Sequence, residues 1–239
     1  MFAIICLISG AARAASTNVA VAANFTEPAK EIAQLFESKT GHKAVLSFGA
    51  TGQFYTQITQ AAPFQVFLSA DDSTPKKLVA DGLAVADSLF TYAIGKLVLF
   101  SNNATLVNGE QTLRVAKFNK IAIADPATAP YGTAAVEVMK ALSVYDALAS
   151  KIVQGSNIAQ AFQFVDTGNA ELGFVALAQV IERSGGPRWI VAANLYSPIR
   201  QDAVLLRSGV DSEAAKAFLA FMKGPEAAKV IEKFGYGTT

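Results

Sequence analysis

The sequence has almost none of the residues from which disulfides, metal centres and catalytic clusters are built. Its 239 residues include one cysteine (Cys6), one histidine (His42) and one tryptophan (Trp189). A lone cysteine excludes an internal disulfide framework and a thiolate-rich zinc site. A lone histidine leaves no cluster of imidazole ligands. Charge is scarce too: 16% of residues are charged, and 20 Lys+Arg face 19 Asp+Glu for a formal net charge of +1. A nucleic-acid binder needs a basic excess that this balance does not supply. A disordered chain needs low hydrophobicity with high net charge, and this chain has neither. No G-x-S-x-G elbow, P-loop or G-x-G-x-x-G fingerprint is present. What remains is apolar: at 52% hydrophobic, the chain can bury a large core in one large or two medium domains.

The first residues stand apart. An apolar run over 2–8 is followed by Ser9-Gly10-Ala11 and then Ala12-Arg13-Ala14. A short apolar stretch ending in an A-x-A pattern reads as a signal peptide, here 1–14 with cleavage near Ala14, although no Lys or Arg precedes the run. It is too short for a membrane span, which takes about 20 apolar residues. Ile5 before Cys6 is too large for a lipidation site. Cleavage removes Cys6 and Arg13, so 19 basic residues face 19 acidic ones and the formal charge falls to zero. The expectation is an exported, soluble, cysteine-free protein whose stability comes from its core.

Strand and helix patterns alternate through the rest of the chain. Strands are expected at 19–23, 43–48 and 65–69, helices at 26–40, 53–60 and 76–80, with Thr26 as a helix cap and Asp71-Asp72-Ser73 as another. Such alternation requires crossover connections and a mainly parallel sheet. The pattern restarts after 91–100, a strand long enough to pass between two domains. Strands at 121–124, 151–154, 172–175 and 188–192 then alternate with helices at 133–142 and 158–165. A second crossing strand is expected at 203–206, and helices at 213–222 and 225–234 close the chain. The expected architecture is α/β with two lobes: lobe 1 from 15–95 and 204–239, and lobe 2, inserted, from 96–203.

Four strand-to-helix junctions are built from small hydroxyl or amide residues: Ala23-Asn24-Phe25-Thr26, Gly49-Ala50-Thr51-Gly52, Pro130-Tyr131-Gly132-Thr133 and Ser156-Asn157-Ile158. In open α/β sheets ligands bind beyond the carboxyl ends of strands, where such junctions gather. Each helix start offers unpaired N–H groups and the positive end of a helix dipole. Two junctions belong to each lobe, so a small anion held between lobes would receive donors from both. By contrast, His42 sits in a turn, and Asp71-Asp72 follow a strand end where carboxylates cap helices. Read alone, these features indicate a two-lobed binding protein for a small anion.

Several stretches carry a family resemblance. They are Val21-Ala22-Ala23-Asn24-Phe25-Thr26-Glu27-Pro28, the 46–52 turn, 61–71, Asp125-Pro126 with Pro130-Tyr131-Gly132, 171–176 and 196–203. In this order, over essentially the whole mature chain, they resemble the periplasmic molybdate-binding proteins of molybdate ABC transporters. The resemblance implies a type II periplasmic binding protein fold, two α/β lobes joined by crossing strands. It implies capture of tetrahedral molybdate or tungstate between the lobes and delivery, by a monomer in the periplasm, to a membrane permease with its cytoplasmic ATPase. No cofactor, direct metal-cation ligand, nucleic-acid partner or catalysed reaction is implied. Residue by residue, it implies ligand contacts from Ala23 (backbone), Asn24 (side-chain amide), Thr51 (hydroxyl), and the backbone N–H groups of Tyr131 and Ile158. Many family members add a tyrosine hydroxyl where this chain has Ala176, and the Asn24 amide would restore that donor. An oxyanion-sensing lobe without transport, or an exported enzyme on the same fold, are the alternatives. The signal sequence and the missing acid/base cluster weigh against them.

Overall fold

The computed structural model describes residues 14–238; the expected signal peptide lies almost wholly outside them. The chain opens with β1 (Ser16–Ala22), α1 (Thr26–Thr40), β2 (Lys43–Gly49), α2 (Thr51–Thr59), β3 (Val66–Leu68) and α3 (Ser73–Ala80). Then β4 (Phe90–Gly95) passes through Lys96 directly into β5 (Leu97–Phe100). There follow α4 (Gln111–Val115), β6 (Ile121–Ala124), α5 (Pro130–Ala141), α6 (Tyr145–Leu148), β7 (Ile152–Gly155), α7 (Ile158–Asp166) and β8 (Leu172–Ala176). The chain ends with α8 (Leu177–Val180), β9 (Arg188–Ile190), β10 (Ile199–Leu205), α9 (Glu213–Met222) and α10 (Pro225–Lys233).

Two five-stranded sheets result, ordered β2-β1-β3-β10-β4 and β7-β6-β8-β5-β9. The two sheets share one pattern. In each, the first three strands in order are parallel, and the fourth runs antiparallel to both of its neighbours. The reversed strands, β5 and β10, adjoin the two passages between lobes. β4 and β5 are the expected 91–100 crossing, split because each half pairs in a different sheet. The return differs from expectation. The 191–198 segment leaves β9 through a 3-10 turn at Ala193–Leu195. β10 then starts with Ile199 packed in the second lobe's core and pairs throughout with β3 and β4. A lobe boundary at 203/204 therefore falls inside a strand.

Alternation along the strands sends side chains to both faces of the first sheet. Val19, Val21, Leu68 and Ala203 pack against Phe36, Phe218 and Ile231 on one side, and Ala20, Phe67 and Val204 against Phe54 and Leu78 on the other. Full burial of such aromatic and aliphatic side chains stabilises the fold by about 1.5–3 kcal/mol each. In the second lobe Leu97, Leu99, Ile121, Ile123 and Phe174 pack with Val138 and Met139 of α5. Ala22, Ala23, Ala50 and Ala70 of the first lobe join this same cluster, so small side chains let the lobes approach closely.

Several helices begin earlier than the sequence suggests: α2 at Thr51, α3 at Ser73 and α5 at Pro130. Gly52 and Gly132 read as turn residues, yet both lie in first helical turns. They are small because neighbours press on them. A Cβ on Gly132 would lie 2.2 Å from the Ala124 carbonyl oxygen, and one on Gly52 3.1 Å from Thr128 Cα. Thr26 is not the N-cap of α1. A 3-10 turn at Ala23–Phe25 leads into the helix, and the Thr26 hydroxyl donates back to the Ala23 carbonyl at 2.8 Å. Asp71 secures the start of α3: its carboxylate accepts the Thr74 N–H and hydroxyl, each at 2.9 Å. Asp72 instead pairs with Lys76 at 2.6 Å. No helix among the described residues is long and apolar enough to cross a membrane.

Candidate functional site

The carboxyl ends of β1 and β2 face those of β6 and β7 across the lobe boundary. Ala23, Asn24, Thr51, Tyr131 and Ile158 all line one small cavity there, with Ala22, Gly49, Ala50, Ala70, Ala129, Pro130 and Asn157 completing the wall. No residue of its lining is charged. All five expected residues are at most 5% exposed. A ligand of any size therefore reaches them only when the lobes separate.

The cavity gathers several helix-start donors. Thr51, Tyr131 and Ile158 stand at the starts of α2, α5 and α7, where backbone N–H groups have no carbonyl one turn back. Their N–H groups take no partner among the described residues. Local chemistry leaves these particular groups free. In α7 the Asn157 side chain accepts from Ala159 and Gln160, at 2.9 and 3.0 Å, and passes over Ile158. In α5 Pro130 has no N–H, so Tyr131 carries the first one. The Thr51 hydroxyl accepts the Ala70 N–H at 3.0 Å, which leaves its own proton to give. Three helix dipoles add positive potential without a full charge.

Asn24 departs from expectation. Its amide nitrogen donates to Gln201 Oε1 at 2.8 Å and to the Tyr236 hydroxyl at 3.0 Å, which uses both hydrogens. The side chain thus faces the interior of the first lobe, and its cavity contribution is made by the backbone of the 3-10 turn. Ala176 ends β8; its N–H is capped by Gln179 at 2.9 Å, and Gln179 in turn donates to the Ile158 carbonyl at 3.1 Å. Ala176 offers no side-chain donor, and it does not line the cavity.

The sequence reading missed a polar network behind the cavity. Gln201 Oε1 also accepts from the Tyr92 hydroxyl at 3.0 Å, and its Nε2 donates to the Tyr131 hydroxyl at 3.3 Å. The Tyr236 hydroxyl donates to the Asn24 carbonyl at 2.8 Å. Burial raises the phenols of Tyr92, Tyr131 and Tyr236 well above their ordinary value, so all three stay protonated. Gln201 stands between Arg200 and Asp202 in β10, so nothing local marked it as buried.

Outside the cavity a cleft of about 820 Å³ opens between the lobes, lined in part by Asp71, Asp72, Glu137 and Arg200. It is bridged by a bond from the Gly52 N–H, in the first lobe, to the Thr128 carbonyl at 2.9 Å. Burial raises the Asp71 carboxyl above its ordinary value, against the bonds from Thr74 and Ser69, and the charge of Asp72 adds to the rise. A carboxyl raised in the folded state holds its proton more tightly there than in the unfolded chain. Stability from this group is thus present at low pH and lost as pH rises through the raised value. Asp71→Asn keeps an acceptor for the Thr74 N–H and removes the charge. The thermal midpoints of wild type and variant are expected to converge near pH 3 and to separate at pH 7, with the variant higher, as scanning calorimetry would read.

His42 lies at the far end of β2. There it accepts the Ala15 N–H at 3.2 Å and lines neither cavity nor cleft. Among the described residues no group of three or more His, Cys, Asp or Glu could hold a metal ion.

Over residues 17–237 the chain matches the family of bacterial extracellular solute-binding proteins. It is 56% identical over 227 residues to the molybdate-binding protein ModA of Rhodobacter capsulatus, spanning 95% of this chain and 90% of that protein. It is 54% identical over 235 residues to the molybdate-binding protein ModA of Azotobacter vinelandii, spanning 97% of this chain and 93% of that one. The solved structure of the Azotobacter vinelandii periplasmic molybdate-binding protein superposes with a TM-score of 0.90 at 40% identity, over 93% of this chain and 99% of that chain.

Proposed function

Since this chain belongs to the family of bacterial extracellular solute-binding proteins, we propose that it captures molybdate or tungstate between its lobes in the periplasm. It then delivers the ion to an ABC transporter permease. The observation that carries this reading is one cavity at which three helix starts and the Thr51 hydroxyl present free donors, with no charged side chain in the wall. A fully deprotonated tetrahedral dianion accepts at every oxygen and donates nothing, so a shell of donors suits it. Each buried, charge-assisted bond is worth about 1.5–3 kcal/mol. Lysine or arginine in the wall would attract anions of many shapes, whereas neutral dipoles around a space of set size select by radius. Sulfate has the same charge and shape with shorter bonds, so it cannot reach donors on both lobes at once. Singly protonated phosphate carries a hydroxyl that a wall of donors leaves without an acceptor. Closure traps the ion, and the closed surface is what the permease meets. No chemical step on the ion is part of this reading.

Calorimetric titration of the mature chain with molybdate, tungstate, sulfate and phosphate tests it. Molybdate and tungstate are expected to bind alike, with sulfate and phosphate at least about 100-fold weaker, a difference of ~2.7 kcal/mol. Sulfate competing at equal concentration would overturn the selectivity, and silence towards all four ions would overturn the function.

A further inference from the structure

We infer that Gln201 is the latch of the closed state, tying a cavity residue of each lobe to one buried amide behind the ligand. It sits in β10 of the first sheet with no exposed surface. Its Oε1 accepts from Asn24 of the first lobe, and its Nε2 donates to the Tyr131 hydroxyl of the second. Asn24 and Tyr131 thus turn backbone towards the cavity and side chain towards Gln201. Tyr131 belongs to α5 of the second lobe, yet its phenol ends inside the first. The room for it is made by Gly95, the last residue of β4: a Cβ there would lie 2.2 Å from the Tyr131 hydroxyl oxygen and 2.7 Å from Gln201 Nε2. Opening the lobes must withdraw this phenol and break its bond to Gln201.

The acceptor of Gln201 is filled from within the first lobe by Asn24 at 2.8 Å, with the single Tyr92 proton shared between it and the Ser69 carbonyl. That fixes which end of the amide faces Tyr131. A donor held in place before closure loses little entropy when the phenol arrives. The bond also forms in a site without water, where leaving one partner unpaired is costly. Gln201 touches no ligand position, so it is a positioning residue. It acts on how long the lobes stay shut, and Tyr131→Phe isolates this action because it keeps the backbone N–H and removes only the hydroxyl.

The latch rests on the solute-capture reading, and its test separates the two. In the mature chain, which begins after Cys6 and carries no other cysteine, labels at Lys39→Cys on α1 and Lys140→Cys on α5 report the distance between lobes, and stopped-flow fluorescence reports molybdate release. Tyr131→Phe and Gln201→Met are each expected to speed release about tenfold, with association within twofold of wild type. The double variant is expected to release no faster than Gln201→Met alone, since that change already removes the bond to Tyr131 along with those to Asn24 and Tyr92. A merely structural role would lower the unfolding midpoint and leave that non-additivity absent. Release at the wild-type rate in both single variants, or effects that multiply in the double, would overturn the latch. Should the wild type take up no molybdate, the proposed function fails on its own. The label distances without ligand then still decide the latch: fewer closed molecules in both variants sustains it, and unchanged distances overturn it.

Discussion

Thr51→Ala is expected to weaken molybdate binding by about ten- to a hundredfold while His42→Ala leaves it unchanged, as read by calorimetric titration of both variants. The hydroxyl of Thr51 serves two partners. It accepts the Ala70 N–H at 3.0 Å and keeps a proton for the ligand. Alanine removes one charge-assisted bond to the dianion, worth about 1.5–3 kcal/mol, and strands the Ala70 N–H in a wall where Ala70 is 3% exposed. Thr51→Ser, which keeps the hydroxyl, is expected to restore most of the affinity. His42 accepts the Ala15 N–H at the opposite end of β2 and reaches neither cavity nor cleft. An equal loss in the two alanine variants would remove the cavity from consideration as the binding site.

Gly132→Ala is expected to lower stability by about 3 kcal/mol, the upper end of the usual range for overpacking. For a chain of this length that is a fall of roughly 6–12 °C in the unfolding midpoint. The added Cβ would lie 2.2 Å from the Ala124 carbonyl oxygen and 3.0 Å from the Asp125 carbonyl carbon. Both obstacles are backbone. β6 and α5 would have to move apart, and they carry the second lobe's core and the Tyr131 N–H together. Affinity should fall alongside stability. In Thr51→Ala the midpoint without ligand is also expected to fall, by the cost of the stranded Ala70 N–H, but that variant in addition loses most of the rise that molybdate produces. Scanning calorimetry with and without molybdate separates the two cases. A Gly132→Ala chain as stable as wild type would mean that the helix does not rest on the strand as closely as described.

Order and type of the longer elements, though not the short helices α4, α6 and α8, were legible in the sequence because they depend on short-range periodicity. The α9 helix, for example, spans Glu213–Met222 as the pattern indicates. The four junctions were legible because helix-start chemistry is local, and residues of all four line one cavity; the five individual contacts came only from the family resemblance. Helix starts were misplaced at Gly52 and Gly132, since a glycine demanded by a close neighbour looks the same in sequence as one demanded by a turn.

The balanced charge argued by itself for oriented neutral dipoles over a basic patch, and the single cysteine and histidine argued against molybdenum carried as a thiolate- or imidazole-ligated cation. Only the tertiary structure decided which dipoles are free. Asn24 and Gln201 lie 177 positions apart, and no local pattern couples them. Once β10 is placed beside β3 and β4, the Asn24 amide has a buried acceptor that it cannot leave unpaired without cost, so it turns away from the cavity. The free donors there are the ones the fold cannot satisfy otherwise: helix-start N–H groups and a hydroxyl with a proton to spare.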